Sequence, residues 1–271
     1  MNLNIPLVSI VITNYNYAQW IGEALDSVAA QSYRPLECII VDDCSTDDSL
    51  HVIKERLQIL QERNDGISYK QLFTRKNSGQ LAAFQLGLKH SSGLFLCFLD
   101  ADDVLFPEFI STHIQVHMMQ NVAFTFCEPI DINQDGVPLT FQSTANNLYV
   151  RLGLQKKNTL PETFSSWKKK LQENEIPPET SFSPQILSDY DLNQWYWYVT
   201  STAVLRRDTI RALEDFPGAE NWRICADRLL FTYAHWRGGS RFLSPRPVGY
   251  RTGEDTAEIP ATTQILLPLL L

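Results

Sequence analysis

Apolar strands and amphipathic helices alternate over the first hundred residues. Continuous β-branched runs predict buried strands over residues 7–13, 36–42 and 94–100, and an alternating pattern predicts a strand over 67–73. Apolar residues at helical spacing predict the helices between and after them. These helices span residues 18–32, 45–63, 80–90 and 107–120. The alternation predicts a mostly parallel, Rossmann-like α/β sheet with crossover helices.

The pattern is less regular in the second half. It predicts an extended segment over 122–132, a strand leading into a helix over 198–207, a helix over 222–236 and an extended segment over 240–251. A mixed, proline-containing insertion occupies residues 140–194. We therefore predict a single domain over residues 1–251, with halves of about 1–103 and 104–251. The apolar tail, residues 252–271, either packs on the domain or touches a membrane surface.

Charge and cysteine content narrow the function classes. The formal net charge of −8 argues against binding to bulk DNA or RNA, so no nucleic-acid partner is expected. The five cysteines are odd in number, and three lie in apolar runs, which indicates buried thiols in a reducing compartment. No signal peptide and no membrane-spanning run are recognised. We expect a cytoplasmic protein, with peripheral contact at the inner membrane face left open.

Acidic residues follow two of the predicted parallel strands. Asp42-Asp43 ends the second strand, and Asp100-Ala101-Asp102-Asp103 ends the fourth. Ligands bind at the carboxyl ends of such strands, and massed carboxylates need a positive partner. Oxygen ligands suit Mn²⁺ or Mg²⁺. The alternative is a turn or a helix cap, which is equally plausible for Asp42-Asp43 but disfavoured for the larger cluster.

These residues resemble a known family. The order VSIVITNYN, IIVDDCSTDDS and RKNSGQLAAFQLGLKHSSGLFLCFLDADDVLFP is similar to the family 2 glycosyltransferases of GT-A fold, over nearly all of residues 7–110. The resemblance implies inverting transfer of a sugar from a nucleoside diphosphate sugar, with UDP as the default, to an acceptor hydroxyl. It implies that nucleotide-binding residues are Thr13, Tyr15, Asp42, Asn77, Gly79 and Asp100. It implies that Asp102 and Asp103 bind Mn²⁺ or Mg²⁺ and the diphosphate.

The same resemblance places the remaining chemistry in the second half. Asp227 corresponds to the family's catalytic base, although Ala226 departs from the commoner acidic pair. A helix-terminal Asp favoured by the helix dipole is the alternative. The family's late histidine is missing, so Arg251 is expected at the diphosphate, with Glu254 or Asp255 near the metal. Trp195, Trp197 and Trp222 would form a sugar platform or belong to the core.

Several alternatives are kept beside this hypothesis. A catalytically silent nucleotide-sugar binder would keep the acidic cluster and lack a working base. A phospho-acceptor signalling domain is disfavoured by the 58 residues that separate Asp42 from Asp100. His113 and His117 are expected to pack rather than to bind metal. The acceptor is a carbohydrate, a lipid-linked intermediate or a protein, as in surface polysaccharide synthesis, and its specificity is expected in the insertion at 140–194.

Overall fold

The computed structural model describes residues 5–140, 181–182, 197, 199–243 and 248–252, and the structural statements below concern these residues. The first half contains four strands and three helices in strict alternation. In chain order they are β1 (Val8–Asn14), α1 (Ile21–Ala29), β2 (Leu36–Asp42), α2 (Ser49–Glu62), β3 (Ile67–Phe73), α3 (Gln80–His90) and β4 (Phe95–Asp100). Each predicted element of this half is present, with helix α1 shorter at both ends.

The second half contributes shorter elements. They are β5 (Val104–Leu105), α4 (Phe109–Met119), β6 (Phe124–Cys127), β7 (Ile130–Ile132), β8 (Pro138–Thr140), β9 (Ser181–Phe182), β10 (Ala203–Arg206), α5 (Arg207–Ile210), α6 (Ala226–Gly238), β11 (Ser240–Leu243) and β12 (Val248–Arg251). Three 3-10 turns lie at Thr200–Thr202, Arg211–Asp215 and Ala219–Asn221.

The main sheet has the order β3-β2-β1-β4-β10-β6-β11-β9. Strands β3, β2, β1 and β4 are parallel, whereas β10 runs antiparallel to β4 and β6. The predicted fold class, one α/β domain with a mostly parallel sheet flanked by helices, is confirmed. The register pairs Asn14 with Asp42 and Thr13 with Asp100, so the carboxyl ends of β1, β2 and β4 lie side by side.

A second sheet, of order β5-β12-β7-β8, was not predicted. Residues 122–132 were expected to form one extended segment and instead divide into β6 in the main sheet and β7 in the second. Pro129, which lies between them, cannot donate to a ladder and so favours a break. Residues 240–251 divide in the same way, into β11 beside β6 and β12 beside β7.

Helices cover both faces of the main sheet because its strands are apolar on both faces. Ile10 and Ile12 of β1 pack with Leu25 of α1 and residues of α2 and α4. Val11 points to the opposite face and packs with Phe84 of α3 and the aromatic residues of α6. The helices on the two faces and the sheet between them form three layers. The ends of the strands are the edge of the sheet that the helices do not cover.

In the second half, the expected start of one helix is wrong, and the alternative left open for Trp197 is decided in favour of the core. Helix α6 was expected from residue 222 but begins at Ala226, because Cys225 has a left-handed backbone with φ of 57°. Trp197 is a core residue, 4% exposed, whose Nε1 donates to Ser240 Oγ, so it forms no sugar platform. Trp222 is half-buried against the same core, and Trp195 lies outside the described residues.

The paired histidines of α4 pack inside the molecule, as expected. His113 Nδ1 lies 2.7 Å from Thr125 Oγ1, and His117 Nε2 lies 2.9 Å from Val204 O. Burial lowers the pKa of His117 to about 4, and it lowers the pKa of His113 as well. Both rings therefore serve as neutral core groups. None of the described helices has the length and apolar character needed to cross a membrane.

Candidate functional site

Hydrogen bonds join the three strand ends at the open edge of the sheet. Thr13 Oγ1 donates to Asp100 Oδ1 over 3.3 Å, which links β1 to β4. Asn14 Nδ2 donates to Asp42 Oδ2 over 2.7 Å, which links β1 to β2. Tyr15 follows as an exposed aromatic ring, 41% accessible. The structure therefore brings together four of the residues predicted to bind the nucleotide.

Asp42 and Asp43 anchor the loops around this edge. Asp42 accepts from the backbone N–H and the hydroxyl of Ser45, in addition to Asn14. Asp43 accepts from Thr74 Oγ1 and from the backbone N–H groups of residues 78 and 79. The sequence left two roles open for this pair, a turn or cap and ligand binding. The hydrogen bonds show that both residues hold the turns and loops that follow the strands. A contact between Asp42 and a nucleotide base stays a prediction.

The loop that Asp43 holds is pressed against the segment that precedes α6. Gly79 has φ of 89°, and a Cβ atom there would lie 2.6 Å from the Arg223 Cα atom, so the contact requires glycine. The Arg223 guanidinium donates to Asn77 O and Asn77 Oδ1. Asn77 and Gly79 thus lie where the first half meets the second.

The three aspartates after β4 occupy different environments. Asp100 is half-buried, Asp102 is 8% exposed and Asp103 is fully buried. Asp103 Oδ1 accepts from Arg251 N at 3.0 Å, its carboxylate also accepts from the Ser201 hydroxyl, and Oδ2 has no partner. Among the described residues, only its own backbone N–H hydrogen-bonds the Asp102 carboxylate. Asp102 therefore keeps its oxygens for a ligand.

Burial and mutual repulsion disfavour the ionised forms of this cluster. Burial, together with the charges of Asp102 and Asp227, raises the pKa of Asp100 to about 7. Burial raises the pKa of Asp102 to about 6, and burial with the neighbouring carboxylates raises the pKa of Asp103 well above its ordinary value. Such a cluster favours a bound cation.

The described residues supply only part of a cation site. Within the described ranges, no group of three or more His, Cys, Asp or Glu side chains is arranged to hold a metal ion. The free Asp102 carboxylate and the unpartnered Asp103 Oδ2 nevertheless fit Mn²⁺ or Mg²⁺, which commonly bind one or two carboxylates plus substrate phosphates. Glu254 and Asp255, expected near the metal, lie outside the described residues.

Arg251 lies beside the acidic turn, where its charge partly offsets the effect of burial on the pKa of Asp102. Its guanidinium donors are used by the protein, contrary to the expectation that they meet a diphosphate. Its side chain is fully buried and pairs with Glu23 Oε2 at 2.7 Å. Its other guanidinium N–H groups donate to the backbone carbonyls of residues 102, 133 and 134. The guanidinium therefore supports the turn that carries Asp102 and is not available to a diphosphate. Arg251 lies on β12, which pairs with β7 in the second sheet. This unpredicted pairing accounts for the buried position of the side chain.

Asp227 lies in the first turn of α6 and is brought to the same edge. It is half-buried, and burial raises its pKa to about 6. Gln80 contacts both Asp100 Oδ1 and Ala226 N, so the start of α6 lies beside the carboxyl end of β4 although 127 residues separate Asp100 from Asp227. Asp227 Oδ1 also accepts from Arg228 N at 2.9 Å, the contact expected of a helix-terminal Asp. Asp227 is thus half-exposed, lies close to the acidic cluster and has a pKa of about 6. These properties suit a carboxylate to general base catalysis.

Sequence reasoning missed three residues that organise the site. Gln80 lies between Asp100 and α6, Arg223 holds Asn77, and Ser201 bridges the Asp100 backbone N–H and the Asp103 carboxylate. Each acts on a residue far away along the chain, and no local pattern predicts such a contact. The predicted specificity insertion at 140–194 lies almost wholly outside the described residues.

Comparisons with known proteins agree on one family. The model of "Glycosyl transferase family 2" matches residues 9–184. An uncharacterized glycosyltransferase of Nostoc sp. is 39% identical over 115 residues, 42% of this chain and 34% of its own length. A Bacillus subtilis protein, TuaG, provisionally named as a teichuronic acid biosynthesis glycosyltransferase, is 33% identical over 134 residues, 49% of this chain and 51% of its own. The match thus spans about a third to a half of these relatives.

Solved structures share the fold. Staphylococcus aureus TarS 1–349 in complex with UDP has a TM-score of 0.59 at 18% identity, over 91% of this chain and 60% of that chain. The mannosyltransferase PcManGT from Pyrobaculum calidifontis, in complex with GDP-Man and Mn²⁺, has a TM-score of 0.57 at 19% identity, over 89% of this chain and 55% of that chain.

Proposed function

The chain belongs to glycosyl transferase family 2 and has the GT-A fold, and from this premise we propose that it transfers a sugar from a nucleoside diphosphate sugar to an acceptor hydroxyl. The observation that carries the proposal is the convergence of Asp100, Asp102 and Asp227 at the open edge of the sheet. It joins a carboxylate proposed to bind the metal and a carboxylate proposed as the base, and a silent binder would not need the second.

The donor is proposed to bind across the ends of β1, β2 and β4. Thr13, Tyr15 and Asp42 would contact the nucleoside, Asp100 the ribose, and the loop with Asn77 and Gly79 the sugar side. UDP and UDP-GlcNAc complexes of TarS support a uridine donor, and the GDP-Man complex of PcManGT is the alternative. Ligand binding at parallel strand ends supports the placement.

Asp102 is the residue proposed to hold Mn²⁺ or Mg²⁺, with the unpartnered Asp103 Oδ2 beside it. The fixed turn behind them keeps these oxygens in place, because Arg251 donates to Asp102 O and Asp103 Oδ1. The bound cation supplies neutralisation of the charge that develops on the diphosphate leaving group.

Asp227 is proposed to accept the proton of the attacking hydroxyl. A base on the far side of the sugar from the diphosphate produces inversion at the anomeric carbon. Its pKa of about 6 keeps it ionised at neutral pH yet basic enough to take the proton. Such a base contributes roughly 10²–10⁴-fold in rate.

The proposed acceptor is a carbohydrate, a lipid-linked intermediate or a protein in cell-surface polysaccharide or glycoconjugate synthesis. The name of TuaG supports a surface polysaccharide. A cytoplasmic site with peripheral membrane contact is part of the same proposal. The tail expected to make that contact, residues 252–271, lies outside the described residues except Thr252.

The test combines binding and turnover. Thermal shift with UDP or GDP, with and without Mn²⁺, is expected to show stabilisation that needs the metal, and Asp102→Asn is expected to abolish it. Nucleotide release from UDP-Glc, UDP-GlcNAc and GDP-Man is expected to fall about 10²-fold or more in Asp227→Asn while nucleotide affinity is kept. Asp48→Asn is the matched control, since Asp48 is an exposed Asp at the N-terminus of α2.

Each negative result has a distinct meaning. If no nucleotide binds under either condition, the proposed function is wrong. If nucleotide binds but the wild-type chain releases none from any donor, the chain is a silent binder. If Asp227→Asn turns over as fast as Asp48→Asn, another group is the base.

A further inference from the structure

The N-termini of α3 and α6 cap one another across the site. The first N–H groups of a helix have no partner within the helix. Gln80 N donates to Arg223 O at 3.1 Å, and Leu81 N donates to Trp222 O at 3.2 Å. In return, Ala226 N donates to the Gln80 side-chain oxygen Oε1 at 2.9 Å. The start of α6, with Asp227 as its second residue, is thereby fixed to the start of α3.

The other end of the same side chain reaches the acidic cluster. Gln80 Nε2 lies 3.5 Å from Asp100 Oδ1, the oxygen that also accepts from Thr13. One amide group thus extends from the carboxyl end of β4 to the first turn of α6. The amide oxygen of Gln80 accepts a hydrogen bond from Ala226 N, and the amide nitrogen donates one to Asp100 Oδ1.

No other residue type of this size supplies both contacts. Glutamate would place a second carboxylate against Asp100, and methionine would fill the space without either hydrogen bond. Gln80 is half-buried, which limits the water that would replace it. The amide therefore fixes the separation between the Asp100 carboxylate and the residue next to Ala226.

We propose that Gln80 is a positioning residue, which sets the distance between the donor-binding Asp100 and the catalytic base Asp227. The inference rests on the proposed function, because it assigns Gln80 to the same reaction. A base displaced by about 1 Å loses up to roughly 10²-fold in rate, while ground-state binding of the donor changes little. The effect of Gln80 should thus appear in kcat rather than in KM.

Gln85 offers a matched control on the same helix. It is half-buried like Gln80, and its Nε2 donates to Leu213 O at 3.0 Å and to Phe216 O at 2.7 Å. It ties α3 to the second half of the chain, as Gln80 does, but its hydrogen bonds within the described residues go to backbone carbonyls and not to the aspartates of the site. Gln85→Met therefore reports a merely structural loss of two hydrogen bonds.

The experiment compares Gln80→Met with Gln85→Met in the full chain. Measured quantities are kcat and KM for nucleotide release from the donor that the wild type uses best, the affinity for UDP with Mn²⁺ by calorimetry, and the melting temperature. For Gln80→Met we expect kcat to fall about 10- to 100-fold, with KM and UDP affinity within about threefold. For Gln85→Met we expect kcat within about twofold despite a similar loss of melting temperature.

Gln80→Glu provides a second variant if Gln80→Met does not fold. It keeps an oxygen for Ala226 N but repels Asp100, so kcat is again expected to fall about 10-fold or more. Amide hydrogen exchange at Ala226 reports on the capping bond without turnover. Faster exchange is expected in Gln80→Met and unchanged exchange in Gln85→Met.

The outcomes separate this inference from the function on which it rests. If the wild type is active and Gln80→Met keeps its kcat, or loses no more than Gln85→Met, the positioning role is wrong while the transferase assignment stands. If neither Gln80 variant folds, the side chain is a structural support and the proposal is rejected. If the wild type releases no nucleotide from any donor, the proposed function fails first and this inference fails with it.

Discussion

Replacing Arg251 by methionine tests how the acidic turn is held in place. The side chain is fully buried, and its donors reach three backbone carbonyls and one carboxylate. The partners are Asp102 O at 2.8 Å, Asn133 O at 2.8 Å, Gln134 O, and Glu23 Oε2 at 2.7 Å. Methionine keeps most of the volume and removes every side-chain donor, together with the charge 5.5 Å from the centroid of the Trp20 ring. Arg251→Met therefore tests the polar contacts of the side chain rather than its packing.

The magnitude follows from the burial of each partner. Asp102 O is buried, and losing its donor is expected to cost about 2 kcal/mol. The other two carbonyls are partly exposed and regain some water, which leaves about 0.5–1 kcal/mol for each. Glu23 is 51% exposed in its side chain, so that ion pair adds less than about 1 kcal/mol. We expect Arg251→Met to lower the free energy of unfolding by about 3–5 kcal/mol.

Urea denaturation measures this change as a shift in midpoint at constant m-value. Glu23→Gln is the control, because it removes the charge of the partner and leaves the three carbonyl contacts intact. It should lower the free energy of unfolding by less than about 1 kcal/mol. A loss below about 1 kcal/mol for Arg251→Met would refute the reasoning, and so would equal losses in the two variants.

Three further predictions concern other parts of the chain. Gly79→Ala should lower the free energy of unfolding by about 2–4 kcal/mol, because of its positive φ and the overlap with Arg223. Gly136→Ala has a φ of 74° but only an ordinary contact, 3.8 Å from Glu23 Oε2, and should cost about 1 kcal/mol by urea denaturation. Burial raises the folded-state pKa of Asp227 to about 6, so the chain without ligands should be less stable than Asp227→Asn at pH 8. The difference should shrink as the pH falls through about 6 and vanish only below about pH 3, where the carboxyl is neutral in the folded and the unfolded chain. A difference that does not change with pH would contradict this. The pKa of His117 is lowered to about 4 in the folded chain, so the wild type should lose stability below about pH 6.5, where the unfolded chain takes up a proton. His117→Gln lacks this proton uptake, so its stability deficit relative to the wild type should shrink between about pH 6.5 and pH 4. A deficit that grows over this range would exclude a neutral buried imidazole.

The first half of the fold was predictable because its information is local. Continuous apolar runs mark β1, β2 and β4, alternation marks β3, and a period of 3.6 residues marks the helices. The strand ends follow directly from the strand positions. In a parallel sheet these ends share one edge, so the acidic cluster could be anticipated from spacing alone. The same reasoning failed for residues 122–132 and 240–251, because periodicity does not indicate which of two sheets an extended residue joins.

For the candidate site, the residue types and the edge of the sheet follow from the sequence, whereas their arrangement depends on contacts over long distances in the chain. Ala226 N reaches Gln80 Oε1 across 146 positions, and Arg251 reaches Asp102 O across 149. The sequence pattern predicts that Asp227 lies at the start of a helix and Arg251 at the end of a strand. A local pattern does not predict which residues pack against either one. Only the tertiary structure decided that the first turn of α6 meets the acidic edge and that the Arg251 guanidinium is buried against backbone carbonyls and Glu23. The physical reason is that both placements depend on burying polar groups against specific partners from the other half of the molecule.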